Sequence, residues 1–257
     1  MYLLTCVGLC WSSCTNEVDE FIGNVEPSTR SVSTALNANL ASLFTGGAPT
    51  LTSAEIKEVN DAYAKMTSIN CYRNIDEAVR NKTSYAGTIF LDDTYASAYF
   101  RKGSLAFPPY GILASSMEHE FIHMYQRDVQ GKKVDTDKEK RDTGMMEFEL
   151  AFYQGIIRYI HAGYSWTFKG EDGDPSYQSL WTSGLTDPSL IPQYEREFQT
   201  YVASICANGK PTSIDINEFV KWSNIFGEYS RGYSGKGYKF GNYDYGTSCI
   251  NSLLKLY

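Results

Sequence analysis

Apolar positions along the chain recur at two spacings, and the change from one to the other marks out the elements. Ile56, Val59, Tyr63 and Met66 stand three or four residues apart, the period of one helix face, and Thr52 with Glu55 just ahead of them forms a capping-box pair. A second, short helix is expected over residues 75–80. Three β-like runs follow, 87–91, 96–101 and 104–107, separated by Asp92-Asp93 and Lys102-Gly103 and closed by Pro108-Pro109. The helical period returns from Ser115 or Ser116 through Val129 to Gly131, and again over 145–161. Between these two helices, residues 132–142 are dense in charge and read as a solvated loop. A Gly/Trp/Asp-rich connection (163–188) leads to a helix with Tyr194, Phe198, Val202 and Ile205 on one face and Gly209 as its stop. Asp215 or Asn217 caps one more helix through Phe226. The stretch 227–246 then alternates Gly with Tyr and charges before the apolar run 250–254.

Helices dominate and one small sheet precedes the helix that begins near Ser115, so the expected class is α+β. There is no internal repeat. Residues 15–51 are Ser/Thr/Asn/Gly-rich with weak periodicity and read as a tether with one short helix; residues 52–257 read as a single domain. At 257 residues the chain can bury a core without disulfide staples. Its 42% hydrophobic and 21% charged residues exclude wholesale disorder. A net charge of −7, from 23 basic and 30 acidic residues, argues against a nucleic-acid partner, whose footprint would be basic. The 20 tyrosines are the unusual number, and the sequence gives them no role.

Three of the six cysteines, Cys6, Cys10 and Cys14, lie at the start. Residues 2–11 are apolar but too few to span a bilayer. They run into Ser12-Ser13-Cys14 and then the acidic, polar 15–20, the shape of a secretory signal ending in small residues. A short buried strand is the other reading. The segment resembles the lipobox of Gram-negative bacterial lipoproteins. That resemblance implies a lipidated Cys14, contact with a membrane only through this anchor, and an outer-membrane or cell-surface location, with the periplasm as the alternative. In such an oxidising compartment Cys71, Cys206 and Cys249 would allow one bridge and one free thiol.

Two of the three histidines fall in His119-Glu120-Phe121-Ile122-His123. On a helix, positions i and i+4 share a face, so both imidazoles can reach one ion. Zinc suits two neutral imidazoles and a carboxylate, with one position left open. Glu120 is placed to take a proton from a water that the ion has acidified. The flanking Met117, Phe121, Ile122, Met124 and Tyr125 are uncharged, which makes this a largely buried helix where unliganded imidazoles would be costly.

Residues 116–125 resemble the extended motif of the zincin metallopeptidases. Gln126 and Val129 stand where the metzincin branch needs Gly and His, so the resemblance is to the gluzincins, whose third ligand is a Glu on a following helix. It implies a mostly helical catalytic domain with a small mixed sheet before the motif, one Zn²⁺ held by His119, His123 and that Glu, Glu120 as general base, and a peptide or protein substrate. The candidates for the third ligand are Glu147 and Glu149. Glu147 shares a stripe with Ala151, Gln154 and Arg158 and has the ExxxA spacing, which favours it. Glu149 lies with Ile156 and Ile160 on the apolar face, where it is a supporting group or the true ligand. His161 is a candidate to stabilise the transition state, or a C-terminal helix residue favoured by the dipole. A tyrosine is an alternative stabiliser, with Tyr125 equally suited to the core. The run 88–91 or 96–101 is a candidate edge for pairing with a substrate backbone. The Gly/Tyr tail reads as packed loops or as a drape over a cleft. Residues 171–174 read as a turn and 81–83 as a glycosylation sequon.

Overall fold

The computed structural model describes residues 35–132, 140–161, 186–207, 209–230 and 233–257. Its first element, α1 (Ala38–Leu43), is the short helix expected in the tether, but it belongs to the core. Leu40, Leu43 and the following Phe44 are fully buried, so the ordered unit begins before Thr52. At Thr52 the capping box is complete: Thr52 Oγ1 accepts from the Glu55 N–H, and the Glu55 carboxylate accepts from the Thr52 N–H. It opens α2 (Ser53–Ser68), which buries Val59, Ala62, Tyr63 and Met66 as the spacing requires. The third helix, α3 (Asn70–Lys82), is longer than expected and places Tyr72, Ile75 and Val79 on one buried face.

Next come β1 (Ile89–Leu91), β2 (Tyr99–Arg101) and β3 (Ser104–Phe107). They form a mixed sheet of order β1-β3-β2, with β1 parallel to β3 and β2 antiparallel to it. Lys102 and Gly103 join β2 to β3 with φ of 50° and 78°; positive φ at both positions is what the twist of a two-residue hairpin demands. The outer side of β1 is occupied, because Ile89 N–H donates to Gly47 O and Gly46 N–H to Gly87 O. The outer side of β2 has no strand beside it among the described residues.

Helix α4 (Ala114–Met124) carries the histidine motif. It starts at Leu113 without a side-chain cap, and Ser115 and Ser116, expected to cap it, lie inside its first turn. It runs into one π-helical turn, Tyr125–Val129, closed by Gln130 N–H to Tyr125 O at 3.0 Å. Helix α5 (Lys140–His161) begins five residues before the predicted start at Met145, because the sequence Lys140-Arg141-Asp142-Thr143 carries no apolar period to read.

Phe148 and Phe152 of α5 pack on α6 (Ile191–Ile205) and α7 (Ile216–Tyr229), with Phe148 to Phe219 at 5.0 Å and Phe152 to Phe198 at 5.4 Å between ring centroids. After α6 the chain makes a hairpin, β4 (Cys206–Ala207) with β5 (Lys210–Pro211), where the sequence suggested only a stop at Gly209. Asp215 caps α7 by accepting from Asn217 N–H. The last helix, α8 (Ser248–Lys255), buries Cys249, Ile250, Leu253 and Leu254. The α+β class therefore holds. All of these elements share one hydrophobic core, and no helix among the described residues is long and apolar enough to cross a membrane.

Candidate metal centre

The π turn decides what the end of the histidine helix presents. Its extra residue lets Gln126 turn inward, fully buried, while Arg127 still lines the cleft and Asp128 reaches the Tyr85 hydroxyl. One turn earlier, His119 and His123 bring their Nε2 atoms to 3.1 Å. Glu147, on α5, completes the group. Its Oε1 is 3.3 Å from His123 Nε2 and its Oε2 is 3.7 Å from His119 Nε2.

A tetrahedral ion with bonds of about 2.05 Å needs ligand-to-ligand edges of about 3.3 Å. The three donors stand at that separation, and they are the one His/Cys/Asp/Glu group among the described residues whose atoms all lie within 4.8 Å. Two imidazoles and one carboxylate are a donor set that could hold a metal ion.

Hydrogen bonds behind the cluster fix the tautomer of His123. Gln126 Nε2 donates to Met146 O at 2.9 Å and to Glu149 Oε2 at 2.8 Å, so its amide cannot be turned around. Its Oε1 therefore faces His123 Nδ1, 2.8 Å away, and must accept a proton from it. In the neutral imidazole this aims the lone pair of Nε2 at His119 and Glu147; in the protonated one both nitrogens donate. Glu149 Oε2 also accepts from the Tyr245 hydroxyl at 2.8 Å. Glu149 is thus the supporting group and does not enter the cluster. Burial raises its proton affinity, against the hydrogen bonds from Gln126 and Tyr245.

The electrostatics of the front face follow from burial and charge. Burial pushes the Glu120 carboxyl up to about 8, opposed by His123 and by the Phe100 backbone N–H. Burial would likewise raise Glu147, but His123, His119 and the Tyr233 hydroxyl hold it down at about 2. Burial alone would lower His123; Glu147 outweighs it and holds the imidazole up at about 9. Around these groups lies a cleft of about 280 Å³, walled on one side by residues 97–100 and on the other by α4 and α5. The unpaired side of β2 runs along it. Of the two candidate edge runs, 96–101 borders the cleft.

The tail does both things expected of it. Phe240 packs on Phe226, ring centroids 5.7 Å apart, and Tyr233 reaches the cleft, where its hydroxyl donates to Glu147 Oε2 at 2.8 Å. Sequence reasoning could not single out Tyr233 or Tyr245, because only the fold brings them 86 and 96 residues back along the chain to α5. Gln126 was legible only as a mismatch to another zincin branch. Tyr125 is a core residue, 4% exposed. His161 ends α5, but its side chain lies outside the described residues, as do Cys14 and residues 171–174. Cys71, Cys206 and Cys249 are all free, which corrects the expected bridge. Cys71 sits on α3 against Tyr153 and Cys249 on α8 against Glu149, each thiol committed to its own packing.

Compared with known proteins, the chain matches no family model, no curated protein and no solved structure. The case for a metal centre is carried by its own side chains.

Proposed function

We propose that this chain is a zinc-dependent peptidase of gluzincin type, exported and anchored at the bacterial surface through Cys14. His119, His123 and Glu147 hold the ion, and Glu120 is the general base. The observation that carries this reading is the convergence of three donors, one from a second helix, beside a second, buried carboxyl in an open cleft. When bound, zinc acidifies water and polarises a carbonyl. Glu120, ionised beside the bound cation, takes the proton and is placed to pass it to the leaving amine. On the outer side of β2 the Phe100 N–H is engaged by Glu120, and the remaining backbone groups of the edge are offered to an extended peptide laid along the cleft. A non-catalytic surface protein with a structural zinc would call for a fourth protein ligand. Among the described residues the group has three.

Metal analysis of the purified chain tests the first half: about one zinc per chain is expected, as for a single tetrahedral site, and His119→Ala removes it. Glu120→Gln tests the second half: it retains zinc and loses proteolysis by about 10²–10⁴-fold. Full activity in Glu120→Gln would sink the mechanism.

A further inference from the structure

Arg127 is the only lysine or arginine among the residues lining the cleft. It lies four residues beyond His123, Thr143 lies four residues before Glu147, and both line the same cleft as the metal cluster. The guanidinium is held in place on every side that does not face the cleft. Its plane sits 4.3 Å from the centroid of Phe100, and Asp128 accepts from Nε at 2.9 Å and from Nη2 at 2.5 Å. Asp128 is itself fixed by the Tyr85 hydroxyl. A guanidinium carries five N–H donors; Asp128 takes two and the Tyr85 hydroxyl engages a third, which leaves two on a side chain that remains 29% exposed. Thr143 Oγ1 is buried and has no hydrogen-bond partner among the described residues, although Thr143 lines the same cleft.

Oriented N–H donors in the same cleft as an unpaired hydroxyl can receive a planar anion. Carboxylate is the group whose geometry matches them, because two oxygens accept from parallel N–H bonds. An amide of the same shape offers one oxygen and sets its own N–H groups against the guanidinium. We propose that Arg127 and Thr143 form a carboxylate-binding subsite that selects peptides bearing an anionic group next to the scissile bond. This deepens the peptidase reading and rests on it. The carboxylate has two sources, an acidic side chain or a free chain terminus.

Equilibrium binding separates the alternatives. The probes are blocked pentaalanines, acetylated and amidated, with one Asp walked through the five positions; the same set with Asn; and acetyl-pentaalanine with a free carboxyl end. They are titrated calorimetrically into the full zinc-loaded chain carrying Glu120→Gln, so that no peptide is consumed, and into the same chain with Arg127→Gln added. One Asp position, or the free terminus, is expected to bind at least tenfold more tightly than its amide counterpart. Arg127→Gln brings that ratio close to one, while Arg127→Lys retains part of it. Thr143→Val weakens the anionic peptides severalfold and leaves the amides unchanged. Preference for an internal Asp assigns the subsite to a side chain; preference for the free end assigns it to a terminus. Equal binding of acids and amides by the parent chain overturns the proposal without any Arg127 variant, and so does a preference that survives Arg127→Gln. The two readings fail differently. A parent chain that cleaves no peptide yet keeps the acid preference refutes the peptidase, and one that cleaves peptides without that preference refutes only the subsite.

Discussion

Gln126 donates a 2.8 Å hydrogen bond to Glu149, and the pair stands directly behind the ring of His123. It divides two glutamates on one helix into separate tasks. Glu147→Ala should abolish stoichiometric zinc, because it removes a donor. Gln126→Leu and Glu149→Leu should keep a zinc site but weaken it by about 10–100-fold, the usual loss when an outer hydrogen-bonding partner of a ligand is removed. Competition with a chromophoric chelator measures both. Equal losses at positions 147 and 149 would contradict the division.

Tyr233 is the cleft hydroxyl nearest to the cluster, bonded to Glu147 at 2.8 Å. Tyr233→Phe should retain zinc. If the phenol turns to a developing oxyanion, kcat falls by about 10²-fold with little change in KM, the scale seen on losing one such donor. An unchanged kcat with weaker zinc binding would confine Tyr233 to holding Glu147.

Phe148 lies between the two glutamates and points the opposite way, into rings at 5.0 Å, 5.1 Å and 5.6 Å. Phe148→Ala should cost about 3–5 kcal/mol of stability, since the cavity forms where the helices cannot close in. Chemical denaturation reads the loss. Zinc should recover part of it, rising with the logarithm of its concentration above Kd, because only the folded chain has the site.

Thr52→Ala removes one half of the capping box at the start of α2. It should destabilise the chain by about 1 kcal/mol and leave zinc affinity untouched. A change in zinc binding would mean that α2 positions α4 more tightly than their packing suggests.

What the sequence made legible was local. Thr52 and Glu55 are three residues apart and His119 and His123 four, and spacings that short translate directly into a cap or a shared helix face. Of the stripe through Glu147, Ala151 and Gln154, Glu147 stands by both histidines, and Ala151 and Gln154 are buried. The role of Glu149 was not decidable, because its partners Gln126 and Tyr245 are 23 and 96 residues away. Nothing in Tyr125–Val129 signals a π turn, since one added residue changes direction without changing composition. Residues 38–44 looked like a tether because three buried anchors are too few to establish a period.

Tyr233 and Tyr245 tie the tail to glutamates that precede them by 86 and 96 residues. The centre is therefore not self-contained within the span that carries its ligands. A chain cut before residue 233 would keep His119, His123 and Glu147 but lose both hydroxyls, so the docked tail, and not the ligand-bearing span alone, fixes the geometry that the three donors offer to an ion.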